Sequence, residues 1–253
     1  MTIASQNSVA PRVTSAAEGY ERWAPLYDDA PNPLLAREMR YLLPLLGDVR
    51  NKRTVDLACG TGRWLEKLAT HGSGWCAGID LSASMLGIAS GKHPLAGKLI
   101  RGTCECLPFV PHVFDLAICS FALGHFASVE RFAGEVSRVC KLGADVFVTD
   151  LHPSAVEQGW RVGFRDGGAA TVEIEVAHRG TDKIVDAFSS QGLKLIEMQS
   201  LWLEQPELAV FVRAGRTERF ASATQVPAIL ALHFRRLEVG TRGETALLAE
   251  EVL

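Results

Sequence analysis

The chain has 253 residues, 47% of them hydrophobic and 22% charged, with a net charge of -3. That balance describes an ordinary globular protein with enough apolar material for a sizeable core and excludes a disordered chain. It gives no reason to expect nucleic acid, which usually demands a basic face, and no segment reaches the roughly 18 uninterrupted apolar residues of a membrane span, so a small-molecule or protein partner is expected.

Residues 1–17 are Ser/Ala-rich with no apolar stretch of signal length and are expected as a disordered tail, leaving 18–253 as a single domain. GYERWAPLYDD and PLLAREMRYLLPLLGD follow as helices. In the second, Leu35, Met39, Leu42 and Leu46 supply the apolar positions, and Pro44 should kink or shorten it. From residue 53 apolar strand-like runs alternate with helical patterns, the signature of βαβ units and a mostly parallel sheet. RTVDLA, WCAGIDL, KLIRGT, FDLAICSFA and ADVFVTDL are five strands. Between them run the helices GRWLEKLATHG, closed by Gly72, SASMLGIASG, capped by Ser82, and SVERFAGEVSRVCK, with Val129, Phe132, Val136 and Val139 on one face.

After the fifth strand the pattern changes. WRVGFRDGGAATVEIEVAHR, about 160–179, reads as a β-hairpin around Gly167-Gly168, with Val172, Ile174 and Val176 on one side. TDKIVDAFSSQG is a helix with Thr181 as N-cap, LKLIEMQSLWL a strand, PELAVFVRAGR a helix, PAILALHFRR a last strand, and the charged end helical or frayed. The six cysteines mostly sit in apolar runs where a thiol behaves as a small hydrophobe, which predicts reduced thiols and a cytoplasmic protein. Cys104 and Cys106 have no second close cysteine pair, so no metal is expected.

The chemistry concentrates at TVDLACGTGRW. A glycine turn between strand and helix admits a ligand close to free N–H groups. A dinucleotide fingerprint would need glycine at Leu65, and a P-loop would need Gly-Lys-Ser/Thr after four spacers; neither is present. Instead Asp56 enters the loop, and Asp80 ends the second strand, where an acid suits ribose hydroxyls. Asp56 would repel a pyrophosphate but suit a ribosyl ligand with a cationic centre.

TVDLACGTGRW, GIDLSASML, GTCECLPF, VFDLAICSFALGHF and ADVFVTDLHP stand in the order and spacing of class I S-adenosylmethionine-dependent methyltransferases. The resemblance is closest to the small-molecule group that includes ubiquinone/menaquinone-type and malonyl-carrier-protein-type enzymes, and it covers roughly residues 18–240. It implies a Rossmann-like α/β fold: a seven-stranded mostly parallel sheet with helices on both faces, an antiparallel last strand, an N-terminal helical cover and the hairpin insert. It implies S-adenosylmethionine as cofactor and S-adenosylhomocysteine as product. Asp56, Ala58, Gly60 and Gly62 resemble the loop around its methionine part, Asp80 the ribose acid, and Leu81 and Met85 the residues beside adenine. Thr103, Cys104 and Glu105 match the segment at the adenine edge that usually reads Asp-Ala-Glu. Ser120 and Phe121 match a strand end near the sulfonium, and Tyr20 and Tyr27 lie on the segment that folds over the cofactor in such enzymes.

The resemblance implies methyl transfer to a small organic acceptor, at oxygen or carbon and also conceivable at nitrogen. His152, His178 and Asp150 are the expected catalytic groups, since imidazole moves protons near neutrality. His125, Trp160, Arg161 and Arg165 are expected around the acceptor. Two other readings stand beside it: methylation of arsenite or another thiophilic acceptor, which needs exposed thiols grouped together, and a non-catalytic cofactor-binding scaffold.

Overall fold

The computed structural model describes residues 11–165 and 171–237. The start of the expected tail, the Gly167-Gly168 turn and the charged C-terminal end lie outside the described residues. In chain order the elements are β1 (Arg12–Thr14), α1 (Ala16–Tyr27), α2 (Pro33–Leu45), β2 (Arg53–Leu57), α3 (Arg63–Thr70), β3 (Trp75–Asp80), α4 (Ala83–Ser90), β4 (Leu99–Arg101), β5 (Phe114–Ser120), α5 (Val129–Val139) and β6 (Cys140–Leu151). Then come α6 (Pro153–Glu157), β7 (Gly163–Phe164), β8 (Val172–Ile174), α7 (Thr181–Ser189), β9 (Leu193–Leu201), α8 (Leu208–Arg213), α9 (Phe220–Ala223) and β10 (Ile229–Arg236).

The main sheet has seven strands in the order β4-β3-β2-β5-β6-β10-β9. The first five are parallel, and β10 runs antiparallel to both β6 and β9. This is the expected α/β architecture, and both faces are dry. On one face Phe132 of α5 and Phe188 of α7 meet Phe234 of β10; on the other Leu42 of α2 and Trp64 and Leu68 of α3 cover Leu116 and Phe147. Helix starts follow local chemistry: the Asn32, Ser82 and Ser128 side chains accept backbone N–H groups at the heads of α2, α4 and α5.

Three local expectations are corrected. Arg12–Thr14, placed in the tail by composition, is a strand that pairs in parallel with β8, so the insert is a three-stranded sheet β1-β8-β7 and not a lone hairpin. Two short strands bury little by themselves; the third supplies the missing partners. Thr181 lies inside α7, and Gly180 takes the cap position with no side-chain bond. The fifth strand of the sequence reading begins at Cys140, directly after α5, rather than at Ala144.

The small sheet and α1 form a cover over the carboxyl ends of the main strands. Trp23 stacks on Phe164 with ring centroids 5.1 Å apart, and Ile174 fills the space above Gly19, where a Cβ would meet it at 2.6 Å. The cover also rests on the turn after β5. A Cβ on Gly124 would lie 2.1 Å from Val176 Cγ1 and 2.8 Å from the Ala177 carbonyl, and that Gly124 carbonyl accepts the Ala177 N–H at 3.0 Å. Because backbone is one of the obstacles, Gly124→Ala should cost about 2 kcal/mol of stability, read as a lower denaturant midpoint. An unchanged midpoint would show that the cover does not press on this turn.

Candidate active site

The cover roofs a cavity of about 430 Å³ at the carboxyl ends of β2, β3, β4 and β5. Each strand contributes the residues that follow it. Ala58 and Gly60 come from β2, Asp80 to Met85 from β3, Thr103 to Glu105 from β4, and Ser120, Phe121 and His125 from β5, while Tyr20 and Tyr27 descend from α1.

The turn after β2 is left-handed at three places: Ala58 at φ 55°, Gly60 at 55° and Gly62 at 81°. Glycine adopts this region without cost; Ala58 does not. Two carboxylates hold the turn. Asp80 accepts the Gly60 N–H at 2.7 Å on one oxygen and the Ser82 N–H at 2.8 Å on the other. Burial raises its pKa against the pull of those N–H groups. Asp56, 2% exposed, accepts the Leu65 N–H at 2.8 Å beneath the loop, and burial pushes it up to about 7. Asp56 and Gly62 therefore do not line the cavity. Asp56 braces α3 from below, and a Cβ on Gly62 would strike Leu95 at 2.4 Å.

A third contact ties the roof to the same turn. The Thr61 hydroxyl donates to Asp28 at 2.6 Å, and Lys92 Nζ pairs with Asp28 at 2.7 Å while donating to the Thr61 carbonyl at 2.8 Å. Inside the roof, Tyr20 Oη lies 2.9 Å from His125 Nε2, with the rings edge-on at 5.2 Å. Burial lowers His125 to about 4 and lifts Tyr20 well above the usual phenol range, so both are neutral near pH 7. His125 Nδ1 is buried without a partner among the described residues.

Opposite the roof, the Cys104 thiol is 3% exposed with the Ala58 N–H directed at it, and burial pushes it up to about 12. The Thr103 hydroxyl accepts the Glu105 N–H at 3.2 Å. The Glu105 carboxylate receives the Ala127 and Ser128 N–H groups at 3.2 and 2.8 Å, anchoring the start of α5.

The histidines expected after β6 stand elsewhere. His152 caps α6: its Nδ1 accepts the Ser154 N–H at 3.2 Å and its Nε2 meets the Ser200 hydroxyl at 3.1 Å. Asp150 and His178 line a second, smaller cavity of about 240 Å³ with Arg179. Asp150 is pushed up to about 6 by burial while accepting N–H groups from Leu151, Gly124 and Leu123. Trp160, 5% exposed, is packed among Leu34, Leu151 and Leu201; Arg161 donates to the Val156 and Trp160 carbonyls at 2.9 and 2.8 Å; and Arg165 is exposed. None of the three lines the first cavity.

A cluster that the sequence reading missed lies behind Ser120. Glu38 of α2 is fully buried, with Arg63 and Trp64 Nε1 on one oxygen and the Thr149 hydroxyl on the other. Its signal was available: Glu38 falls on the same helix face as Leu35 and Leu42, a charge on an apolar stripe.

A methyltransferase domain model matches residues 55–148. A demethylmenaquinone methyltransferase of Corynebacterium urealyticum is 28% identical over 184 residues, 72% of this chain and 74% of that protein. A phthiotriol/phenolphthiotriol dimycocerosates methyltransferase of Mycobacterium leprae is 32% identical over 187 residues, 72% of this chain and 66% of that one. The chain belongs to the class I S-adenosylmethionine-dependent methyltransferases. The methyltransferase spans 36% of a bifunctional biotin biosynthesis protein of Cellvibrio japonicus, to which it is 26% identical over 72% of its own length, and 86% of a demethylmenaquinone methyltransferase of Renibacterium salmoninarum. Its fold is also that of an S-adenosylmethionine dependent methyltransferase from Mesorhizobium loti, with a TM-score of 0.64 at 22% identity, covering 81% of this chain and 100% of that one.

The cavity fits the cofactor. The Asp80 carboxylate takes backbone N–H groups from Gly60, Ser82 and Leu81, fewer than its lone pairs can accept, which leaves capacity for a pair of vicinal hydroxyls. Apolar Met85 and Cys104 flank it on the side expected for adenine. Among the described residues five of the six thiols are buried, so the grouped, exposed thiols of an arsenite site are absent from them.

Asp56 makes stability pH-dependent. Its pKa is about 7 folded and near the usual 3.8 unfolded, so the folded state holds the proton more tightly. Stability from this group is full below the unfolded value and is lost as pH rises toward 7 and beyond. Asp56→Asn keeps an acceptor for the Leu65 N–H and should remove on the order of 2 kcal/mol of the stability difference between pH 5 and pH 8. Denaturant midpoints at the two pH values measure it, and parallel profiles in mutant and wild type would refute the assignment.

Proposed function

We propose that the methyltransferase methylates oxygen or carbon of a small organic acceptor carrying an ionisable hydroxyl or enol, and that His125, held by Tyr20, receives the acceptor's proton. The observation that carries this reading is the 2.9 Å contact between Tyr20 Oη and His125 Nε2 inside the cofactor cavity, with His125 Nδ1 unpartnered. It replaces the expected base His152, whose two nitrogens are both engaged outside the cavity. It also changes the role expected for His125.

When bound, S-adenosylmethionine supplies an electrophilic methyl group on a sulfonium. The protein's share is alignment and proton handling. Gly60, Asp80 and Met85 would hold the cofactor, and Tyr20 and Tyr27 would roof it with aromatic faces, which favour a cation. A charged imidazole would repel that cation. Burial keeps His125 neutral, so in this cavity it would serve as a proton acceptor and not as a competing charge. Tyr20 orients the ring, and the apolar walls Phe121, Ala122 and Phe126 keep water away. Relatives named as demethylmenaquinone and phthiotriol methyltransferases support a small organic acceptor over a macromolecule.

The test is transfer of labelled methyl from S-adenosylmethionine to a panel of phenols, quinols and β-dicarbonyl compounds, followed by location of the new methyl. Turnover only on amines would overturn the reading. With an accepted compound, His125→Gln should lower kcat about 100-fold and Tyr20→Phe about tenfold, while S-adenosylhomocysteine affinity changes less than about threefold. Because His125 titrates near 4, wild-type kcat should show no histidine-like loss between pH 8 and 6. A kcat in His125→Gln equal to wild type would remove the histidine from the mechanism.

A further inference from the structure

The buried cluster behind Ser120 determines which way a proton points. Arg63 Nη2 donates both to Glu38 and to Ser120 Oγ, the latter at 2.9 Å. A guanidinium has donors only, so in the second bond Ser120 Oγ is the acceptor. Its own proton is then left for a partner elsewhere. Ser120 lines the cofactor cavity at the end of β5, together with Gly60 and Tyr27, and Tyr27 lies close enough to Arg63 for the guanidinium charge to pull its pKa down against burial.

The guanidinium is itself held rigidly. Its charge is paired with a fully buried carboxylate, whose second oxygen is taken by the Thr149 hydroxyl, and its plane lies over the Trp64 ring with Cζ 5.0 Å from the centroid. Nη1 is buried with no hydrogen-bond partner among the described residues. The two ends of the cavity thus differ in chemistry, a carboxylate end against a hydroxyl-donor end. Asp80 and Glu105 stand at one end, while a directed hydroxyl proton with a guanidinium behind it stands at the other.

We infer that Ser120, oriented by Arg63, donates its hydroxyl to the carboxylate at the amino-acid end of S-adenosylmethionine. Ser120 is the contacting group, and Arg63 is a positioning residue that acts through it, with Glu38 fixing Arg63 in turn. The cofactor is thereby bound in one direction: its ribose faces Asp80 and its carboxylate faces Ser120. This role differs from proximity to the sulfonium, the place expected for Ser120 from its motif.

Two ligands separate this role from a structural one. S-adenosylhomocysteine carries the amino-acid end, whereas 5′-methylthioadenosine keeps the adenosine and the thioether without it. Isothermal titration of the wild type should find S-adenosylhomocysteine the tighter ligand. Ser120→Ala should weaken it about tenfold and leave 5′-methylthioadenosine within about twofold, the loss of one hydrogen bond to a charged group. Arg63→Met leaves Glu38 buried without its cation, so it is paired with Glu38→Gln to keep the chain folded. That double variant should lose the same preference, and adding Ser120→Ala to it should cost little more, because both act on one contact. Equal weakening of both ligands in the Arg63 variant, or an unchanged preference in Ser120→Ala, would overturn the inference. Failure of wild type to bind S-adenosylhomocysteine at all would instead strike at the cofactor, and the inference would fall with it.

Discussion

The hydrogen bond from the Gly60 N–H to the Asp80 carboxylate, 2.7 Å long, joins the turn that leaves β2 to the end of β3. Around it the chain must reverse within five residues, through left-handed Ala58, Gly60 and Gly62, before α3 can begin. Such a turn exposes backbone polar groups at the floor of a cavity and stays in place only if each is satisfied. Asp80 does this from the side through Gly60, Asp56 from below through Leu65, and Lys92 through the Thr61 carbonyl, while Asp28 takes the Thr61 hydroxyl from above. Every other feature of the site is referred to this loop. The roof is tethered to it, Asp80 is one of its braces, and α3 carries Arg63 from its end toward Ser120.

Burial sets the electrostatic character of the site. Asp56 and Asp150 are raised toward neutrality, His125 is kept uncharged, and the tyrosines stay protonated. A cavity meant for a sulfonium gains from this arrangement, because the cation meets aromatic faces and neutral dipoles rather than a second cation. Glu38 is instead fully buried against Arg63, whose side chain is partly exposed, and that pairing keeps the cost of burying the carboxylate within reach.

Much of the cofactor side was legible in the sequence. Strand–glycine turn–helix followed by strand–acid is a local pattern, and local patterns survive folding because parallel strands bring their carboxyl ends together. Ala58, Gly60, Asp80, Met85, Cys104 and Ser120 all reach the cavity for that reason. Asp56 was read for its charge but is used for its lone pairs, since the strand's inward face carries it under the loop. His152 follows a strand end and Trp160 opens the insert. In the fold His152 caps α6 before Pro153, and Trp160 packs in an apolar cluster, both outside the cofactor cavity.

By itself the sequence determined the alternation of strands and helices and the glycine turn at which the cavity is built, because periodicity and turn chemistry act over a few residues, while the seven-stranded sheet followed from the family resemblance. Only the tertiary structure decided which histidine faces the cavity, that the chain's start adds a strand to the insert, and that Glu38, Arg63 and Ser120 form one chain of contacts. Those pairings span 105 residues from Tyr20 to His125 and 57 from Arg63 to Ser120. No local propensity encodes contacts of that range; they arise when distant apolar faces are buried against one another and the polar groups between them must find partners.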